Sequence, residues 1–238
     1  MSSWIDGSPL RLPGFSSLAA ALFAQDCALC LASAGRDLVC GPCRESLPWL
    51  RASCSRCALP LAHDGVCGGC RAHAPHFDET VCALEYRFPV DRLVQRFKYS
   101  GDFALGRWLA LQLAHRVRAR PDLIAPAPLA PARLRQRGFN QAAHLARVAG
   151  HRLGVRVEWR GFERTRETQP QQGLDRRARR ANVRGAFRCR LPLEGLHVAV
   201  VDDVVTTGAT ADALAQALRA AGAARVSVWA VARTPDPA

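Results

Sequence analysis

The chain is expected to fold as an α/β domain, a parallel sheet with crossover helices, preceded by a small duplicated cysteine module. Three features lead there. From Val81 onward short apolar runs alternate with amphipathic stretches, the pattern of strands joined by crossover helices. One of those runs ends in two carboxylates and a Thr-Thr-Gly turn that opens directly into a helical pattern. Upstream, eight of the ten cysteines form four pairs, each with two residues between the partners.

Length and charge bound the reading. The 238 residues accommodate one large domain or a domain of roughly 150 residues plus a small module. With 49% hydrophobic residues and a mean hydropathy of -0.06, the composition suits a soluble globular protein. The apolar run from Leu18 to Ala24 is far short of the roughly 20 residues a membrane span needs, and no basic segment precedes it as in a signal peptide. A cytoplasmic protein without a membrane partner is expected. The net charge of +13 is unevenly placed: residues 1–80 hold six Arg against seven acids, and 81–238 hold 27 basic against 13 acidic residues, giving -1 and +14. Arg160 to Arg190 alone carries ten Arg. Such a basic half implies a polyanionic partner, either a pyrophosphate-bearing small molecule or nucleic acid, unless the stretch is only a solvated arginine-rich loop. All basic residues but one are Arg, which singles out Lys98.

The cysteine pairs are Cys27/Cys30, Cys40/Cys43, Cys54/Cys57 and Cys67/Cys70, and they repeat with a period of 27 residues. The second knuckles of the two units read Val39-Cys40-Gly41-Pro42-Cys43-Arg44 and Val66-Cys67-Gly68-Gly69-Cys70-Arg71, so the module is an internal duplication. A two-residue gap lets both thiolates of a knuckle face one tetrahedral metal, and two knuckles complete a closed structural site. Two structural zinc ions are predicted, with disulfides the alternative that paired C-x2-C repeats disfavour. Such short Gly-rich loops depend on metal for folding, and chelation is expected to unfold residues 27–70 while largely sparing the rest. Cys82 and Cys189 read as ordinary packed thiols, and His63, His73 and His76 as surface histidines.

Strands are expected at Val81–Tyr86, Leu123–Ala127, Val155–Trp159, His197–Asp202 and Arg225–Ala232. Helices are expected at Val90–Tyr99, Phe103–Arg118, Asn140–Leu153, Arg176–Ala181 and Ala209–Ala221. The domains read as 1–26, an N-terminal segment with a short helix, 27–78, the double ribbon, and 79–238, the α/β domain. Prolines at 121, 126, 128 and 131 punctuate the region around the second strand.

The segment Val200-Val201-Asp202-Asp203-Val204-Val205-Thr206-Thr207-Gly208-Ala209-Thr210 carries the clearest chemistry. A strand ends, a tight turn follows, and a helix begins, so that unpaired backbone N–H groups and the helix dipole converge on one point, a ready anion site. Gly208 permits close backbone approach, and Thr206, Thr207 and Thr210 add hydroxyls. Asp202 and Asp203 would accept from vicinal ribose hydroxyls, directly or through Mg2+, which takes oxygen ligands.

This string resembles the phosphoribosyl-pyrophosphate (PRPP) signature of type I phosphoribosyltransferases. From about Leu18 to Arg233 the chain is similar to the ComF/GntX group of competence-associated phosphoribosyltransferase-like proteins with an N-terminal double zinc ribbon. The matching stretches are Phe97-Lys98-Tyr99-x-Gly101-Asp102, Pro126-x-Pro128-Leu129 with Arg133, Arg135 and Arg137-Gly138-Phe139-Asn140-Gln141, and Arg164-x-Arg166-x-Thr168-x-x-Gln171-x-x-Leu174 with Arg179, Asn182 and Gly185-Ala186-Phe187.

The resemblance implies a type I phosphoribosyltransferase-like fold and Mg2+-dependent PRPP binding by Asp202 to Thr210. Arg133, Arg135 and Arg137 fall where that fold leads into its pyrophosphate loop, and Arg suits bidentate phosphate contacts. Arg164, Arg166, Gln171 and Arg179 fall where type I enzymes carry a mobile catalytic loop that excludes water on closing. Lys98 is expected near the ligand phosphates, or else as a surface lysine. The segment 137–141 has a structural alternative, Asn140 capping a helix and Phe139 entering the core. Type I domains often dimerise, by the same analogy. No pattern in the chain specifies the acceptor. A second reading stays open: a non-enzymatic accessory to DNA uptake that keeps the PRPP-binding fold and engages single-stranded DNA or a DNA-translocating helicase. A transcriptional regulator on the same fold would need a DNA-reading helix, and no helix-turn-helix pattern is present.

Overall fold

The structure, a computed structural model, describes residues 25–166, 182–183 and 185–235. The helix expected at Arg176–Ala181, all but the last two positions of the N-terminal segment, and the candidate residues Gln171 and Arg179 lie outside the described residues. The chain divides into two compact units, Met1–Ser46 and Leu47–Ala238, so the division falls inside the expected double ribbon.

The first unit holds the first cysteine quartet. Its second knuckle leads into helix α1 (Gly41–Glu45), with Pro42 in the opening turn, where its missing N–H costs nothing. Asp37 pairs with Arg44.

The second unit begins with the second quartet, whose knuckle starts α2 (Gly68–Ala72). The α/β part follows in the order β1 (Glu79–Glu85), α3 (Val90–Ser100), α4 (Phe103–Ala114), β2 (Leu123–Pro126), α5 (Pro131–Arg137), α6 (Gln141–Leu153), β3 (Phe162–Arg164), β4 (Phe187–Cys189), β5 (His197–Val205), α7 (Ala209–Ala220) and β6 (Arg225–Arg233). Strands β1, β6, β5 and β2 form one sheet in that order, all parallel. The register sets Val200 opposite Val228 and Val201 opposite Trp229. Central strands of a parallel sheet are covered on both faces and read as unbroken apolar runs; Val226 and Val228 to Ala232 are all buried. The expected strand at Val155–Trp159 is reduced to one parallel bridge, Val157 to Ile124, with Glu158 N–H donating to the Ile124 carbonyl at 2.9 Å.

Local signals explain the helix ends. The Asp102 carboxylate accepts from Leu105 N–H at 3.0 Å and starts α4, while Gly101, at φ 62°, ends α3. Asn140 caps α6 by accepting from Ala143 N–H at 3.3 Å, and Phe139 packs on Phe97 and Phe103 with ring centroids 5.6 and 4.9 Å apart. Helix α4 stops at Ala114, short of the Arg118 expected from pattern alone. Two elements were not anticipated. Pro131 stands in the first turn of α5 rather than in a loop, using its fixed φ as a helix start. Strands β3 and β4 pair antiparallel.

The second ribbon is part of the same core as the sheet. Leu50, Ala58 and Phe77 pack in one buried cluster with Val200, Val205, Ala209 and Val228. At the end of β6, Arg233 is only 3% exposed. Its Nε donates to the Cys57 carbonyl at 2.8 Å, and its Nη1 donates to the carbonyls of Val205 and Thr206. A buried guanidinium needs such partners, and here they tie a cysteine knuckle of the second quartet to the turn after β5. Of residues 27–70, expected to unfold on chelation while largely sparing the core, the second-ribbon residues Ala58 and Cys57 are thus in contact with that core.

Candidate functional site

The C-terminal end of β5 is where ligands bind in open parallel sheets. There Asp202 and Asp203 stand beside a cleft of about 210 Å³ whose other walls come from α3, α5, α6 and the first turn of α7. Gly208, at φ 78°, makes the turn into α7; Asp212 N–H donates to its carbonyl at 2.8 Å, and Thr207 Oγ1 accepts from Ala209 N–H at 3.4 Å. Val204, Thr206, Gly208, Ala209 and Thr210 all line the cleft. Thr207 lines a neighbouring cavity instead, and Val205 is buried behind the turn.

Lys98 reaches the cleft from α3 and pairs with Asp203, Nζ to Oδ1 at 2.8 Å, both side chains mostly buried. Burial pulls the ammonium toward neutrality, but attraction to Asp203 and Asp202 outweighs it and holds its pKa above the ordinary value. Asp202 moves the other way for a carboxyl. Burial, then repulsion from Asp203, push it up to about 7 against the pull of the Asp203 amide, Lys98 and Arg137. The Asp203 N–H donates to Asp202 Oδ1 at 2.8 Å. The two acids thus form an electrostatically crowded pair, paired with Lys98, within the field of Arg137 and facing the cleft.

Helix α5 decides which of the three arginines serve the cleft. Residues 133 and 137 are four apart and share a helical face, whereas 135 points away. Arg133 and Arg137 line the cleft; Arg135 is exposed and does not. Arg137 is held by Gln141 Oε1 at 3.0 Å and lies over the Tyr99 ring at 5.1 Å, with Gln141 itself 2% exposed. Arg164, from β3, lines the cleft and stacks on Phe187 at 5.5 Å. Arg166 is exposed and donates to the Asn182 carbonyl at 3.1 Å, away from the cleft walls. Tyr86, at the end of β1, joins the lining without having been anticipated. Arg233 was missed as well, although an arginine closing a long apolar strand was a visible signal.

The metal sites are well formed. In each quartet, Cys27, Cys30, Cys40 and Cys43, and Cys54, Cys57, Cys67 and Cys70, the four sulfurs lie within 4.8 Å of one another. Cys30 and Cys40, and Cys57 and Cys67, have sulfurs 3.7 Å apart. That spacing fits the edge of a tetrahedron around zinc at about 2.3 Å and is far beyond the roughly 2.05 Å of a disulfide. Backbone N–H groups point at the sulfurs, Cys40 N–H to Cys27 at 3.4 Å and Cys67 N–H to Cys54 at 3.3 Å. Burial raises the pKa of Cys27, but the amides of Cys40, Cys30 and Leu29 outweigh it and bring it down to about 6. Both quartets fit a structural zinc ion.

Residues 18–71 match the model of the double zinc ribbon domain. The DNA utilization protein YhgH of Salmonella typhimurium is 37% identical over 246 residues, spanning 97% of this chain and 96% of that protein. The chain belongs to the ComF family. A further ComF-type relative, Competence protein F of Haemophilus influenzae, is 35% identical over 170 residues, 67% of this chain and 74% of its own length. Among solved structures, a glutamine PRPP amidotransferase from B. subtilis overlaps 52% of this chain and 25% of its own at 25% identity, with a TM-score of 0.37. This ComF-family chain carries a parallel sheet with helices and two four-cysteine clusters. Among the described residues no helix is long and apolar enough to cross a membrane.

Proposed function

We propose that this ComF-family chain is a PRPP-binding phosphoribosyltransferase, dependent on Mg2+, that serves DNA uptake and utilization as the names of its relatives indicate. The observation that carries the reading is the joining of Asp202, Asp203 and the Thr206–Thr210 turn to Lys98, Arg133 and Arg137 around one cleft. The turn would hold the 5′-phosphate, the two acids the ribose hydroxyls, and Arg133 and Arg137 the pyrophosphate. The hard oxygen donors Asp202 and Asp203 fit Mg2+, which supplies charge neutralisation for the leaving group when bound. In the transfer, the bond from ribose C1 to the pyrophosphate oxygen breaks with both electrons going to pyrophosphate. The acceptor nucleophile then bonds to C1 and gives up its proton. The chain's own contribution is positioning and electrostatic stabilisation of the departing charge. The family resemblance gives Arg164, Arg166, Gln171 and Arg179 to a catalytic loop that excludes water, and of these Arg164 lines the described cleft.

The helical face of α5 makes a sharp test. Arg137→Ala is expected to weaken PRPP binding about tenfold, the loss of one charge-assisted contact, whereas Arg135→Ala should leave it within twofold. Competition titration with pyrophosphate checks both. Equal losses would remove α5 as the pyrophosphate-binding element. Thr207→Ala combined with Gly208→Ala should likewise weaken PRPP binding at least tenfold without changing zinc content, because any side chain at the φ of 78° strains the turn.

The excess charge of +14 on residues 81–238 favours a second reading, an accessory that binds single-stranded DNA or a translocating helicase and uses the cleft only to sense PRPP. Salt-dependent DNA binding that survives Asp202→Asn/Asp203→Asn, together with no pyrophosphate release from PRPP, would support it over the enzyme.

A further inference from the structure

A second cavity, of about 650 Å³, adjoins the cleft: Gly208 and Ala209 line both. One wall is a single face of α7, Ala209, Asp212, Ala213 and Gln216, spaced three, four and seven residues apart from the first. The other wall is the second ribbon and the segment leading from it to β1. The space is built rather than incidental. His76 N–H and Nδ1 both meet Asp212 Oδ1, at 2.7 and 3.0 Å, and Arg219 clamps the His76 carbonyl at 3.3 Å and the Asp78 carboxylate at 2.5 Å. Its size is in the range of small-molecule sites, which combine apolar walls with a few polar groups. Leu59, Leu61, Pro75 and Phe77 give the apolar surface; the polar groups are Gln216, His73, Asp212 and Arg233, and Cys57, Cys67 and Cys70 of the second quartet form part of the wall. That chemistry suits a planar nitrogen heterocycle.

The Thr207–Ala209 turn borders this cavity, and Gly208 and Ala209 line the cleft as well. A Cβ added at Gly208 would just touch the Phe77 ring, at 4.0 Å. A phosphate on the turn therefore has cleft on its ribose side and the second cavity close by. We propose that the cavity receives a nucleoside joined through the 5′-phosphate of the ribose held in the cleft, so that the site takes a dinucleotide or a longer strand ending in a free ribose diol. The proposal rests on the phosphoribosyl reading of the cleft. It gives the second ribbon a ligand-binding face in addition to its metal. The ribose in the cleft keeps both hydroxyls on Asp202 and Asp203, while the substituent on its 5′-phosphate passes Gly208 and lies between Ala213 and Phe77.

The test is calorimetric titration of the zinc-loaded full chain with PRPP, AMP and the dinucleotide adenylyl-(3′→5′)-adenosine, in wild type, Ala213→Trp and Gln216→Ala. The dinucleotide carries less charge on the phosphate than AMP, so any advantage comes from its extra nucleoside. It is expected to bind at least tenfold more tightly than AMP, to lose that advantage in Ala213→Trp and at least threefold of it in Gln216→Ala, and AMP affinity should be the same in all three proteins. Gln216 is exposed, so the milder variant reports even if the bulky one misfolds. PRPP binding with a dinucleotide no tighter than AMP, or with an advantage untouched by both variants, overturns this inference alone. Failure of PRPP, AMP and dinucleotide to bind removes the phosphoribosyl reading and this inference with it.

Discussion

Replacing Asp202 and Asp203 together by asparagine is expected to lower PRPP affinity in the presence of Mg2+ by at least a hundredfold, about 2.8 kcal/mol. The pair supplies the only side-chain carboxylates on the described cleft lining. Asparagine keeps the shape but removes the charge that would hold a divalent cation and accept from ribose hydroxyls. It also leaves Lys98 without the carboxylate now 2.8 Å away. Lys98 can then approach the ligand phosphates directly, so the variant should retain weak PRPP binding that no longer responds to Mg2+. Zinc content and the far-UV spectrum should be unchanged, because neither residue contacts a described metal site. Affinity within threefold of wild type would remove the acids from the account.

The second large effect concerns zinc. Cys54→Ser/Cys67→Ser is expected to lower zinc content from about two ions to about one per chain. The same substitution should destabilise the α/β part by several kcal/mol in urea titration. Structural zinc contributes roughly 10–16 kcal/mol to folding in zinc-finger peptides, and here part of that reaches the sheet. Ala58 packs in the same buried cluster as Val200 and Val228, and Arg233 bridges the Cys57 carbonyl to the Val205 carbonyl at the turn after β5. Loss of the knuckle would leave the Arg233 guanidinium, 3% exposed, short of a partner, and such a buried charge is costly to leave unsatisfied. A variant that loses zinc yet keeps the wild-type urea midpoint would mean that the ribbon is only appended to the core.

The readability of the chain followed the range of the forces involved. Cysteine spacing and the turn at Thr206–Thr210 are set by contacts within a few residues, and both are visible in the sequence. The capping of α6 by Asn140 and the stop of α3 at Gly101 are local in the same sense. Helix α5 was not legible because Pro131 in a proline-rich stretch reads equally as a loop or as a helix start. That ambiguity hid the reason Arg135 parts from Arg133 and Arg137. The segment Val155–Trp159 has strand composition, yet it makes one bridge on the sheet's edge, a tertiary outcome that pattern does not encode. The Lys98–Asp203 pair joins residues more than a hundred positions apart, and only the sheet order brings them together. Arg233 joins the ribbon to the loop by the same kind of long-range packing.

The most direct test of the central claim is a calorimetric titration of the zinc-loaded wild-type chain with PRPP, with and without Mg2+. Saturable binding near one PRPP per chain, strengthened at least tenfold by Mg2+, is the predicted result. The absence of binding at millimolar PRPP with Mg2+ present would contradict the account, and the cleft around Asp202 and Asp203 would then have to serve another ligand.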